Sequence, residues 1–371
     1  MDALARELGV SPIEIAQTKR LALAKRLLQD TSLPLTDIAF ASGFGSVRRF
    51  NALFKQTFAR SPSELRKSRA VSRPLEASTS GAIALRLDYR PPLSFRDLLD
   101  FLRPRAIAGV ELIGEHTYRR TVRIGKDVGW LEVRQAERDL PALVADVSLS
   151  LASRLGAIVA RLRALFDLDA QPEVVAEHLR ADPQLRKRVD ERPGLRLPGA
   201  FDPFEMAVRA VLGQQVSVKG ATTLCGRLVV AFGKPSALEE LPSLFPTAEE
   251  LARVELGSLR KIGLPEARAR TIIELARAVA SGRIDLTGAA APEAMIEELV
   301  TLPGIGPWTA HYLAMRAMHW PDAFPAGDLG VKKALGVTSE RATEARAASW
   351  RPWRAYAVMH LWSSLSEGGL S

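Results

Sequence analysis

Apolar residues recur at helical spacing between Glu14 and Leu28, at Ile15, Leu21, Leu23, Leu27 and Leu28. The next stretch, LPLTDIAFASGFGSVRRFNALFKQTFARSPSELRK, reads as two short helices joined by a tight turn. Thr36 is the expected N-cap of the first, with Ile38 and Ala39 facing inward, and Gly43 permits the turn. Ser46 then caps a helix that carries Phe50, Leu53 and Phe54 on one face. Arg48, Arg49, Asn51 and Lys55 fall largely on other faces. This is a helix-turn-helix layout, whose second helix suits a DNA major groove.

Residues 71–82 are rich in Ser, Ala and Pro without apolar period and read as a linker. Beyond them the period shortens to two in IALRLDY, VELIGEH, YRRTVRIG, GWLEVRQ and ALVADVSL, which predicts strands. Gly125 and Gly129, with Lys126 and Asp127 between them, mark a hairpin turn. One helix, SFRDLLDFLRPR, follows the first strand. From about Ser150 the period is helical almost throughout, with short Pro- and Gly-containing connections. The expected fold is therefore α+β and multidomain. A helix-turn-helix region spans 1–70 and a small antiparallel sheet with a helix 83–165, followed by an all-helical domain at 166–371.

Composition narrows the chemistry. The 371 residues suit two or three domains, and 47% hydrophobic with 25% charged residues is ordinary for a globular chain. No apolar run reaches membrane-spanning length, the N-terminus lacks a signal-peptide pattern, and a cytoplasmic location is expected. Cys225 is the one cysteine, which excludes an intramolecular disulfide and a cysteine-built metal site. The five histidines show no metal spacing. The net charge of +9 is concentrated: residues 1–73 hold thirteen Lys and Arg against six Asp and Glu, a net +7. Such a segment favours a polyanionic partner, though a solvated helical surface explains it equally well.

Two sites carry chemistry. In LVTLPGIGPWTAHYLAMRA at 299–317, Gly304 and Gly306 let a turn between helices bring backbone N–H groups against a phosphate oxygen. A helix starting near Pro307 adds its positive end, which makes the hairpin a sequence-independent phosphate anchor. In FPAGDLGVKKAL at 324–335, Pro325 and Gly327 shape a loop that delivers Asp328 to a helix start. Helix capping alone would account for an Asp there. Its place twenty residues after Trp308 suggests more.

The hairpin followed by a Pro/Gly loop and an Asp resembles the HhH-GPD glycosylase superfamily. RLDYRPPLSFRDLLDFLRPRAI, FEMAVRAVLGQQVSVKGA and SWRPWRAYAVMHLW resemble its AlkA branch, the 3-methyladenine DNA glycosylase II family, across roughly 83–371. That branch implies a TBP-like sheet domain before the HhH-GPD domain. The ASGF…FNALFK…SP.ELR string resembles the second helix-turn-helix of AraC-type regulators of the Ada kind. Too little chain precedes residue 30 for the first such motif, so this region is a partial one.

The resemblance implies a monofunctional N-glycosylase that excises alkylated bases of the 3-methyladenine and 7-methylguanine type. Relatives that also cut the backbone carry a hairpin lysine where this chain has Trp308, leaving Asp328 as the implied catalytic residue. Phe101, Trp308, Tyr312 and Trp353 are implied around the base, with Leu329 where some relatives carry an aromatic; Trp350 and Trp362 are assigned to the core. Gln215 is the implied wedge in the duplex. Gly304, Gly306, Thr309 and Lys332 are implied DNA contacts, joined by Arg48, Arg49, Asn51 and Lys55 of the helix-turn-helix. The carbonyls of Val300, Leu302 and Ile305 are implied ligands of a monovalent cation, and no other cofactor is expected. The implied partner is double-stranded DNA with alkylated bases, and the implied state a monomer. The alternative is a DNA-binding regulator that senses lesions without excising them.

Overall fold

The computed structural model describes residues 12–30, 33–67, 82–137, 140–287 and 291–367. The chain divides into two compact units, one of residues 1–88 and 122–160 and the other of 89–121 and 161–371. The linker expected at 71–82 lies outside the described residues except for Ala82.

In the first unit, α1 (Pro12–Asp30), α2 (Leu35–Ala41), α3 (Val47–Phe58) and α4 (Pro62–Lys67) form the helix-turn-helix region. Thr36 does not cap α2. The helix begins at Leu35 behind Pro34, and the Thr36 hydroxyl turns to Asp37 at 3.4 Å. Pro34 fixes the entry of the chain without a side-chain cap. Gly43 takes a φ of +80°, and Ser46 caps α3 by accepting from the Arg49 N–H. Phe44, Phe50, Phe54 and Phe58 form a ladder with centroids 5.3, 5.5 and 4.6 Å apart, which holds α3 by its buried face. A capping box between Ser61 and Glu64 opens α4.

The strands are β1 (Ile83–Asp88), then, after α5 (Phe95–Leu102), β2 (Glu111–Ile113), β3 (Thr117–Ile124), β4 (Asp127–Gln135) and β5 (Ala142–Val147). They form an antiparallel sheet in the order β1-β5-β4-β3-β2. Val147 faces Ile83 on one side and Leu131 on the other. The hairpin turn is tighter than the glycine pair suggested. β4 starts at Asp127, so Gly129 lies inside the strand. A side chain there would overlap the Ser148 and Ser150 hydroxyls, which explains the glycine without a turn.

The second unit also holds the later helices: α6 (Leu155–Leu165) enters it, followed by α7 (Pro172–Arg180), α8 (Pro183–Glu191), α9 (Pro203–Leu212) and α10 (Val218–Phe232). A two-stranded ribbon, β6 (Lys234–Pro235) with β7 (Ser243–Leu244), precedes α11 (Ala248–Leu251), α12 (Leu256–Lys261), α13 (Glu266–Ala280) and α14 (Pro292–Leu299). α15 (Pro307–Arg316), α16 (Leu329–Leu335), α17 (Glu340–Ala347) and α18 (Arg354–Glu367) complete it. One core packs α9, α10, α13, α14 and the first half of α15. A second packs α7, α8, the end of α15, α16 and α18 around Phe324 and Trp350. α15 thus serves both cores, and the loops at its start and after its end are where the candidate chemistry sits. No helix of the described residues is long and apolar enough to cross a membrane.

Candidate active site

The hairpin between α14 and α15 turns at Gly304, whose φ of +83° is a left-handed conformation that a residue with a side chain rarely adopts. A Cβ there would also overlap the hydroxyl of Thr271, a buried residue of α13. Leu302 closes the turn by accepting from the Ile305 N–H at 3.1 Å. Gly306 is the N-cap of α15, with Pro307 at its first position and open space around its Cα. Bare N–H groups and a helix dipole therefore meet at an exposed turn, the arrangement that binds a phosphate oxygen.

Asp328 caps α16, accepting from the Val331 N–H at 2.9 Å through Oδ1. Capping is only part of its bonding. The Trp308 indole donates to Oδ2 at 3.1 Å, and the Trp362 indole donates to Oδ1 at 2.9 Å. Three donors from α15, α16 and α18 fix the plane of one partly buried carboxylate. A charge held this way is preorganised, because no solvent must reorient when positive charge develops nearby.

Trp308 and Tyr312 are one helical turn apart on α15, and their rings stack at 5.4 Å and 11°. Tyr312 and Trp362 lie 6.3 Å apart. Arg316, buried at 1% exposure, donates to the Tyr312 hydroxyl at 3.0 Å and lies 4.8 Å from the Phe101 ring centroid. Phe101 also carries the Arg105 guanidinium at 3.9 Å. Burial pushes the Arg105 side chain down to about 10 and holds Arg316 below its ordinary value. Arg209 steadies this corner by donating to the Arg105 carbonyl and pairing with Glu111 and Glu205. Two cations thus lean on Phe101, which leaves less of its ring's negative charge for a cationic ligand than a free ring would offer.

The structure brings together Phe101, Trp308, Tyr312 and Asp328, all within the second unit. Trp362, expected in the core, does pack against the second core and also bonds Asp328, while Trp353, expected at the base, packs on Tyr356 at 5.9 Å against that same core. Trp350 is buried, as expected. Leu329, beside Asp328, is 81% exposed and points away from the protein.

Of the expected DNA contacts, Gln215 is exposed with a φ of +55° in the loop between α9 and α10. Thr309 is not a surface residue. It is 3% exposed, and its hydroxyl accepts from the Gln214 amide at 2.9 Å. Lys332 is partly buried with its ammonium 3.9 Å from the Glu340 carboxylate. Val300 is exposed, while the Leu302 and Ile305 side chains are buried and only their backbones face the turn. On α3, Arg48, Arg49, Asn51 and Lys55 are all exposed. Among the described residues no group of three His, Cys, Asp or Glu could hold a metal ion. Sequence reasoning missed Trp362, Gln214 and Arg316. The sequence did hold one clue. Trp362 falls within the helical run RAYAVMHLW, whereas Trp353 stands just before it, behind Pro352.

Three known families match the chain. A helix-turn-helix domain matches residues 2–68, the AlkA N-terminal domain residues 84–202, and the HhH-GPD superfamily base excision DNA repair protein residues 208–355. The chain is 39% identical over 365 residues to the probable bifunctional transcriptional activator/DNA repair enzyme AlkA of Mycobacterium tuberculosis strain H37Rv, covering 97% of this chain and 72% of that protein. It is 34% identical over 280 residues to DNA-3-methyladenine glycosylase 2 of Escherichia coli K12, covering 74% and 95%. Among solved structures, the 3-methyladenine DNA-glycosylase from Archaeoglobus fulgidus superposes with a TM-score of 0.68 at 20% identity, covering 77% of this chain and 99% of that one. That likeness shows the fold.

Proposed function

The chain belongs to the AlkA family of DNA-3-methyladenine glycosylases, base excision repair enzymes of the HhH-GPD fold, and from that premise we propose how its residues act. The damaged base rotates out of the duplex into the space bounded by Trp308, Tyr312 and Phe101. Its glycosidic bond breaks with the electron pair departing on the base. Alkylation at N3 or N7 of a purine has already placed positive charge on that base, so no general acid is required. The sugar left behind is oxocarbenium-like, and water then adds to it. Asp328 stabilises the developing positive charge and orients the water. The observation that carries this reading is the bonding of Asp328, which three donors from three helices hold beside a stacked aromatic pair.

The hairpin at Gly304 and Gly306 grips a phosphate, and Gln215 fills the gap left by the rotated base. The carbonyls of Val300, Leu302 and Ile305 suit a monovalent cation, since the Leu302 oxygen keeps a lone pair after accepting from Ile305. Such an ion would brace the turn. The exposed face of α3 with Arg48, Arg49, Asn51 and Lys55 suits a duplex groove.

The test is single-turnover release of 3-methyladenine and 7-methylguanine from alkylated duplex DNA. Asp328→Asn is expected to lose at least about a hundredfold in rate while still binding the duplex. Equal release by both proteins would remove Asp328 from the mechanism. Release by neither would favour a lesion sensor.

A further inference from the structure

Gln214, the neighbour of the exposed Gln215, is turned inward and joins the loop to the hairpin. Its amide nitrogen donates to the Gly304 carbonyl at 2.8 Å and to the Thr309 hydroxyl at 2.9 Å. Only the nitrogen end of the amide can face a carbonyl, so the orientation of the group is fixed by chemistry. Its own carbonyl accepts from Arg268 of α13 at 2.6 Å. Three residues along α13, Thr271 packs beneath Gly304 so closely that no side chain fits between them. The turn that would hold a phosphate and the loop that would enter the duplex are therefore tied to each other and to the same helix.

We propose that Gln214 is a positioning residue that couples phosphate capture at the hairpin to insertion of Gln215. This rests on the reading of Gln215 as the wedge. Gln215 itself has a φ of +55°, a conformation that an L-residue leaves unless its surroundings hold it. Gln214, clamped on both its side chain and its carbonyl, supplies that restraint one residue upstream. When the hairpin docks on a phosphate, the distance from that phosphate to the wedge tip is then set by the tether and not by loop fluctuation. Without the tether the hairpin still binds DNA, but the wedge arrives in a spread of positions. Misplacement of about 1 Å in such a group costs on the order of a hundredfold in rate.

The experiment uses the full chain and two duplexes carrying one 7-methylguanine. In one the lesion faces cytosine; in the other it faces a reduced abasic site, where no pair has to be broken. A 2-aminopurine beside the lesion reports unstacking by fluorescence. Gln214→Ala is expected to slow release from the paired duplex by about ten- to a hundredfold, with far less loss on the unpaired one. The fluorescence rise should fall in parallel, with affinity for undamaged duplex unchanged. Thr309→Val removes one acceptor from the other side of the tether and should show the same asymmetry more weakly. It also decides the matter should Gln214→Ala melt at a much lower temperature. Equal loss on both duplexes, or no loss on either, overturns the proposal. If the wild type releases no base from either duplex, the glycosylase reading fails. The fluorescence rise requires no bond cleavage and still decides whether Gln214 governs insertion.

Discussion

The Trp362 indole N–H points at Oδ1 of Asp328 across 2.9 Å, from a position thirty-four residues later in the chain. This contact joins the last described helix to the loop that carries the candidate catalytic carboxylate. It makes the orientation of Asp328 a property of the tertiary fold and not of its loop alone.

Trp362→Phe keeps an aromatic ring and removes that donor. The Trp308 indole and the Val331 N–H remain, so the carboxylate should stay near its place but lose one fixed side of its bonding. We expect base release to slow about tenfold in single-turnover assays, with duplex affinity intact. Trp353→Phe, made for comparison, should leave the rate close to wild type, because Trp353 packs on Tyr356. Equal loss in both variants would show that the contact with Asp328 is not what matters.

Gly304→Ala adds a methyl group where the Thr271 hydroxyl already sits, at a φ of +83°. Strain of about 1–3 kcal/mol should appear as a lowered melting temperature. Duplex affinity should fall even for undamaged DNA, because the turn that presents its N–H groups must shift. Gly306→Ala is the control, since nothing lies within 4 Å of its added Cβ and its φ is −90°. A melting temperature unchanged in Gly304→Ala would contradict the geometry.

His360 is buried and His319 half-buried, and desolvation pushes each down to about 4 from an ordinary value of 6.5. The folded protein thus holds them neutral where the unfolded chain protonates them. Their contribution to stability is present above about pH 6.5 and is lost as the pH falls toward about 4, by at most roughly 3 kcal/mol each. His319 has a φ of +56°, which Asn tolerates better than most residues. Denaturant titrations of wild type and His319→Asn across pH 7 to 4 should show a shallower acid loss in the variant. An identical slope would mean that His319 is protonated in the folded state.

Asp167 behaves in the opposite sense. Burial raises its carboxyl to about 6, against hydrogen bonds from the Leu197 N–H and the Tyr356 hydroxyl and the nearby Arg196. The folded state therefore binds this proton more tightly than the unfolded chain, and stability from this group declines as the pH rises from about 4 to about 6. Asp167→Asn keeps an acceptor and suits the φ of +52°. Relative to wild type, the variant should gain stability as the pH climbs through that window. A constant difference between the two proteins would show that Asp167 does not titrate there.

Much of the molecule was legible in the order of its residues. Local rules were sufficient for Ser46 capping α3, for the inward Phe50 and Phe54, and for the strands of period two. They also sufficed for the turn at Gly304 and for an Asp at the start of α16, because each depends on neighbours within a few positions. They failed where a competing local choice decided the outcome. Pro34 displaced Thr36 as the start of α2, and a close approach by Ser148 and Ser150 explains Gly129 better than a turn does.

What the sequence by itself determined, then, was the set of elements, the hairpin, and the carboxylate that follows it. Helix period, capping and backbone freedom are written into short windows of chain. Only the tertiary structure decided what faces that carboxylate. Trp353 and Trp362 are equivalent in residue type and nine positions apart, yet Trp353, just before α18, packs on Tyr356, while Trp362, within α18, reaches Asp328. Thr309, expected at the DNA surface, is instead buried and bonded to Gln214. Such choices depend on how helices far apart in sequence pack together. That packing is the sum of many small contacts and leaves no local signal in the sequence.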